Sequence, residues 1–255
     1  MVMKLFKRFL AYFIDMAVIM IIAQSISGVT FINKQLSNYN KYYDNYTDYV
    51  FNYADFKNKL DDYFDDKKIT EKEYNKLSEK YEDYKSILDK YYDDNTITKS
   101  EYNKIIKKVD NVYQKQYKKY YYLIEKNSIC YFVVYIVAVL GYFIGFNKLT
   151  DGQTLGKKLL RLRVTNVNGG KVTWWQYLLR TILLYQPIYY IARLIGVFML
   201  DASGYYTLTN VFYNIQYYLE FLIIITLMIR HDGRGLHDLV ASTKVVFQDI
   251  EGNIY

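Results

Sequence analysis

The segment Phe9–Val29, FLAYFIDMAVIMIIAQSISGV, decides the fold. It stays apolar for roughly 20 residues, about the length at which a helix spans the hydrocarbon core of a bilayer. One carboxylate, Asp15, interrupts it, and Arg8 stands immediately before it. That separation is about two helical turns, which places both side chains on one face roughly 10 Å apart along the axis. Arg8 can reach back to the headgroups. A carboxylate in hydrocarbon costs several kcal/mol, so Asp15 has to face protein or water. It is either an ion that orients this helix in a bundle or an ion or proton site, and the residues themselves name no ligand.

Three further apolar stretches follow: Ser128–Phe146, about Leu178–Leu200, and Val211–Ile229. They divide the chain into a first transmembrane segment at 1–33, a polar insert at 34–127, and a membrane domain at 128–255. The basic n-region Lys4, Lys7 and Arg8, with Ala23, Ser25 and Ser27 beyond the apolar run, also fits a signal peptide. Asp15 in mid-run argues against cleavage, as do the later spans that need a first helix to orient them. Lysine and arginine in short loops set orientation. The N-terminus, the 147–177 loop (Lys148, Lys157, Lys158, Arg161, Arg163, Lys171) and the segment after Ile229 (Arg230, Arg234, Lys244) are basic, whereas Asp201–Asn210 has neither residue. The expected fold is therefore an all-α polytopic membrane protein with four transmembrane helices, N- and C-termini cytoplasmic, and an extracytoplasmic helical insert. A net charge of +7 then points to anionic lipid headgroups rather than nucleic acid. The single cysteine, Cys130, rules out an intramolecular disulfide. Abundant Tyr, Asn, Lys and Ile with a single proline suggests an AT-rich bacterial genome.

The insert repeats itself: DDKKITEKEYNK at 65–76 returns as DDNTITKSEYNK at 93–104. Each copy carries a capping box, Thr70 with Glu73 and Thr98 with Glu101. One helix is expected from Thr70 to Tyr92, its apolar face carrying Leu77, Tyr81, Tyr84, Leu88 and Tyr91, and a second from Thr98 to about Lys126. Two helices make little core, so a marginally stable unit is expected. The acidic pairs before each cap lack the alternating ligands and central glycine of an EF-hand. Tyr120-Tyr121-Tyr122 is expected at headgroup level rather than as a base-stacking platform.

In the loop DGQTLGKKLLRLRV at 151–164, Gly152 and Gly156 enclose three residues where a phosphate loop needs four, which excludes a nucleotide site. Alternation from Leu162 to Val167, the turn Asn168-Gly169-Gly170, and Lys171-Val172-Thr173 read as a small cytoplasmic β-hairpin. Thr243–Phe247 is a further strand candidate that can cover its edge. Trp174 and Trp175 fit an interfacial belt. Gly141 and Gly145 have the spacing of closely packed helices. Pro187 is expected to kink the third span. Arg193 and Glu220 lie roughly 10 and 14 Å into adjacent antiparallel spans and are expected to form an ion pair. His231, Asp232, His237 and Asp238 have no metal-ligand spacing, and hydrogen bonds from the histidines to headgroups or backbone are expected instead.

Arg8 and Asp15 in a first span, the loop Gly152-Gln153-Thr154-Leu155-Gly156-Lys157-Lys158, and the tail Leu236-His237-Asp238-Leu239-Val240-Ala241-Ser242-Thr243 resemble the RDD family of bacterial membrane proteins. The resemblance covers about 4–30 and 128–248. It implies a family arginine at Arg8 and aspartates at Asp15 and Asp238, and a multi-pass protein of the bacterial plasma membrane. Ser242 stands where the family more often has glycine, and the 34–127 insert lies outside the pattern. Transport has been proposed for the family, and cation/proton antiport has been attributed to some members.

The expected function is a membrane binding or scaffolding module, with an unknown protein partner for the insert. The alternative is a small transporter, as a homo-oligomer, using Asp15 and Glu220. No nucleophile–base pair, metal cage or cofactor loop is legible, so neither an enzyme nor a cofactor is expected.

Overall fold

The computed structural model describes residues 2–27, 30–64, 69–92 and 97–248. In chain order these form α1 (Val2–Ser27), α2 (Thr30–Phe64), α3 (Glu71–Lys80), α4 (Glu82–Asp89) and α5 (Lys99–Asn127). Next come α6 (Ile129–Leu149, with a π-helical stretch at Gly141–Phe146), α7 (Leu155–Leu159) and β1 (Leu162–Asn166). The chain continues with α8 (Trp174–Tyr185), α9 (Pro187–Met199), α10 (Ala202–Ile229), α11 (Leu236–Val240) and β2 (Thr243–Phe247). The end of the first apolar stretch at Val29 and the acidic pairs Asp65-Asp66 and Asp93-Asp94 lie outside the described residues.

Among the described residues, three helices are long and apolar enough to cross a membrane: Leu5–Ile26 of α1, α6 and α10. The count is four if α8 and α9, bent by 71° at their junction, form one span. That junction is more than the expected kink. Gln186 adopts φ 49°, in the left-handed region that non-glycine residues seldom visit, and Pro187 starts the next helix. Proline has no N–H to continue the earlier ladder, and its fixed φ suits a first helical position. The expected 201–210 loop is also corrected. Asp201 accepts from the Gly204 amide at 2.8 Å, capping α10, so the helix starts at Ala202.

The chain divides into two compact units. One holds residues 1–35, 128–200 and 207–255. A cluster of Ile19, Tyr135, Val139, Tyr142, Phe143 and Tyr185 ties together α1, α6 and α8. A second cluster, Ala11, Leu162, Val164, Tyr177 and Val245, packs the sheet against α1 and α8. The expected hairpin does not form. β1 pairs antiparallel with β2, Leu162 opposite Phe247 and Asn166 opposite Thr243. The Asn-Gly-Gly turn is present, with the Gly169 amide donating to the Asn166 carbonyl at 3.0 Å. Thr173, however, caps α8 through a box with Gln176 and withdraws the expected second strand. Nor do Gly141 and Gly145 mark a close helix contact, since a Cβ at either would meet nothing within 4 Å.

The other unit holds residues 36–127 and 201–206. Both capping boxes form: Thr70 N–H donates to Glu73 and Thr98 N–H to Glu101, each at 2.8 Å. The isoleucine before each cap, Ile69 and Ile97, is buried in the core. The expected helix from Thr70 is broken at Tyr81 into α3 and α4. The small core expected of two helices is enlarged by α2, which contributes Phe56 and Leu60 to a cluster with Leu77, Tyr81, Tyr84, Leu88, Ile105 and Val109. Tyr121 and Tyr122 lie against the rings of Tyr205 and Tyr206.

Candidate functional site

The site begins with Asp15, 1% exposed on α1. Its Oδ1 accepts from the Tyr142 hydroxyl and from the Gly156 amide, both at 2.8 Å, and its Oδ2 from the Thr154 hydroxyl at 2.5 Å. The loop motif explains itself around this carboxylate. A helix leaves its first amide donors without intrahelical acceptors. In α7 the Leu155 amide donates to Tyr142 Oη at 2.9 Å, Gly156 to Asp15, and Lys157 to Thr154 Oγ1 at 3.5 Å. Gly156 is required because a Cβ there would sit 2.3 Å from the Ala11 carbonyl oxygen. Gly152 has φ +92°, and a Cβ on it would lie 2.4 Å from the Val164 carbonyl oxygen. The Gln153 amide donates to the Leu162 carbonyl and to Gln248 Oε1, at 3.2 and 2.8 Å. The motif is thus the fitting that seats α7 on α1 and beside β1.

Asp238, fully buried in α11, is the second centre. Arg8 Nη2 donates to its Oδ2 and Arg180 Nη1 to its Oδ1, while Arg8 Nη1 donates to the Gly233 carbonyl. Arg180 also reaches Thr243 Oγ1 at 2.6 Å, and the Gly235 amide reaches Asp238 Oδ2 at 3.2 Å. Two guanidiniums therefore share one carboxylate. Buried charges persist only when paired and hydrogen-bonded, and this network does both. It ties α1, α8 and α11 together across sequence separations of 230 and 58 residues.

A cavity of about 240 Å³ opens beside both centres, with Arg8, Asp15, Lys157, Arg180, Glu220 and His237 on its lining. The rest of the wall is largely apolar, including Phe9, Leu184, Ile224 and Leu227. Lys157 is half-buried. Desolvation, then the Arg180 guanidinium, pushes its ammonium down to about 7 against the opposing pull of Asp15. His237 is 3% exposed, so the expected headgroup contact is not made. Its Nε2 lies 3.5 Å from Asp238 Oδ2, and burial followed by the charges of Arg180, Arg8 and Lys157 holds it well below the ordinary histidine range.

The expected Arg193–Glu220 ion pair is absent among the described contacts. The guanidinium of Arg193 lies over the rings of Phe132, Tyr189 and Tyr190, at 4.4, 5.0 and 5.6 Å from their centroids. Glu220 accepts from Gln216 at 3.0 Å and faces the cavity. The break at Gln186-Pro187 redirects α9, so depths counted along one straight span do not apply to it. Arg8, Asp15, Glu220 and Lys157 are gathered on one lining, Asp238 joins through Arg8, and Arg193 is not on that lining. Arg180 and Tyr142 were not singled out as site residues from the sequence. A lone arginine in an apolar stretch, needing a carboxylate, was the signal for Arg180. Tyr142 had none. Among the described residues, no group of three or more His, Cys, Asp or Glu side chains is arranged to hold a metal.

A family model, RDD family, matches residues 112–242. The match takes in the loop motif and Asp238 and leaves out Arg8 and Asp15 of α1. No curated protein and no solved structure matches the chain.

Proposed function

The chain belongs to the RDD family, and from that premise we propose that it is a non-enzymatic binding or scaffolding module of the bacterial plasma membrane, multi-pass with both termini cytoplasmic. The observation that carries this reading is the state of Asp15. Its two oxygens accept three hydrogen bonds from Tyr142, Thr154 and Gly156. A carboxylate engaged in this way organises a loop, and a passing cation would have to displace donors that also terminate α7. In this reading Arg8, Asp238 and Arg180 clamp the same face, the cavity takes the ligand, and the 34–127 insert meets a protein partner outside the cell.

A transport reading is favoured by one observation. Glu220 lines the cavity with Gln216 as its described hydrogen-bond donor, so it is the carboxylate open to a cation or proton. Proteoliposome flux of sodium, potassium and protons separates the two. The binding reading expects no flux from folded wild-type protein. Flux that vanishes in Glu220→Gln while the fold survives would replace it with a small transporter, acting as a homo-oligomer.

A further inference from the structure

Around the cavity the charges do not balance locally. Arg8 and Arg180 share Asp238, and Asp15 is occupied by hydroxyl and amide donors. Lys157 brings a third cation to the same lining, and among the described contacts its ammonium has neither a hydrogen-bond acceptor nor a carboxylate within ion-pair distance. With Lys157 protonated, at or below about pH 7, three cations thus face two carboxylates. Glu220 is the next acid on the wall, but it lies two turns along α10 from Leu227, or roughly 10 Å. Leu227 marks the Asp238 end, because a Cβ on Gly235 would touch both Leu227 and His237. The positive excess therefore sits at one end of the cavity.

The walls running from that end are apolar and belong to membrane-crossing helices. Phe9 and Phe13 come from α1, Leu184 from α8, and Ile223 and Ile224 from α10. α10 is the candidate span least buried by the protein, at 11% of its apolar window. A positive end joined to an apolar cleft between spans has the chemistry of an acidic head on a hydrocarbon chain.

We propose that this cavity is a binding site for one phospholipid with an anionic headgroup, its phosphate against Lys157 at the Arg8–Arg180 end and an acyl chain running between α1 and α10. The proposal deepens the binding-module reading and rests on it. An anion there supplies the acceptor that the Lys157 ammonium lacks, and about 240 Å³ accommodates a phosphate with part of a chain, the remainder lying in the bilayer. The site is distinct from general attraction of basic loops to the membrane surface because its key cation is half-buried beside Asp15.

The test uses the full chain in nonionic detergent, with affinity read from ligand-dependent thermal stabilisation. It is titrated with dioctanoyl phosphatidylglycerol, dioctanoyl phosphatidylcholine and inorganic phosphate. Phosphatidylglycerol is expected to bind about tenfold or more tighter than phosphatidylcholine, with inorganic phosphate giving no comparable shift. Lys157→Met should abolish that preference, Lys157→Arg should keep it, and Lys148→Met, at an exposed position off the lining, should leave it intact. Removing an ammonium with no acceptor does not threaten the fold, so loss of preference in a folded Lys157→Met protein is interpretable. Equal binding of the two lipids, an undiminished preference in Lys157→Met, or stabilisation by phosphate alone would each overturn the proposal. Ion flux in proteoliposomes bears on the binding-module reading instead, so the two can fail separately.

Discussion

A methyl group at position 156 has nowhere to go, because the Ala11 carbonyl oxygen would lie 2.3 Å from it and Asp15 Oδ1 3.0 Å away. Gly156→Ala should therefore lower the melting temperature in detergent, at a cost of about 1–3 kcal/mol for forced overpacking. Gly141→Ala provides the contrast: its Cβ meets nothing within 4 Å, so the unfolding midpoint should hold or rise. Asp238→Asn strands two buried guanidiniums and should cost about 3–5 kcal/mol, enough for loss of the folded protein on size exclusion. Asp15→Asn breaks no ion pair among the described contacts and should cost less, about 1–3 kcal/mol, by turning one acceptor oxygen into a donor among donors. Lys157 gives a pH dependence with a definite sign. Its ammonium titrates near 7 in the fold and near its ordinary value of 10.5 in the unfolded chain. Between those values the unfolded chain holds the extra proton, so stability rises with pH across that window and is flat below it. Melting scans from pH 7 to 9 should show an upward trend in wild type that Lys157→Met lacks.

Elements were legible in the sequence wherever the signal was local. The boxes at Thr70–Glu73 and Thr98–Glu101 place helix starts because a cap is closed within four residues. The same rule applied to Thr173 and Gln176 would have assigned 171–173 to the approach of α8 instead of to a strand. The turn signal at Asn168-Gly169-Gly170 was sound, but a turn does not choose a partner. β1 finds β2 at the other end of the membrane unit because Leu162, Val164 and Val245 share a buried cluster with Ala11. The convergence on Asp238 was hidden for the same reason: Arg8 and Arg180 are 230 and 58 residues away in sequence. What the sequence did show was the need for convergence, since a charge in an apolar stretch requires a partner. At this scale Thr154→Ala makes a sharp prediction. It removes both the cap of α7 and a bond to Asp15, so it should destabilise by more than the roughly 1 kcal/mol of an ordinary cap. Thr98→Ala, which opens a single capping box in the insert, should stay near that figure, both measured by urea unfolding of the full chain.

At the scale of the molecule the charge is unevenly distributed. Residues 36–127 contain equal numbers of lysines and acidic residues, so the net +7 belongs entirely to the rest of the chain. A long insert crosses a membrane largely regardless of its charges, whereas basic short loops are retained. That asymmetry makes the proposed orientation testable with single cysteines in a Cys130→Ser background. Ser100→Cys lies in the insert and is exposed; Lys171→Cys lies between β1 and α8, where the lysine is 91% exposed and makes one long contact, 3.9 Å, to Asp151. Such a surface pair is worth little, so the substitution should leave folding intact. In intact cells a membrane-impermeant maleimide should label Ser100→Cys and spare Lys171→Cys, which should react only after permeabilisation. The reverse pattern would put both termini outside and move the Arg8–Asp238–Arg180 clamp to the extracytoplasmic face. Labelling of both sites in intact cells would mean an even number of crossings between them, with α6 failing to span. The experiment therefore reads the number of crossings and the orientation together.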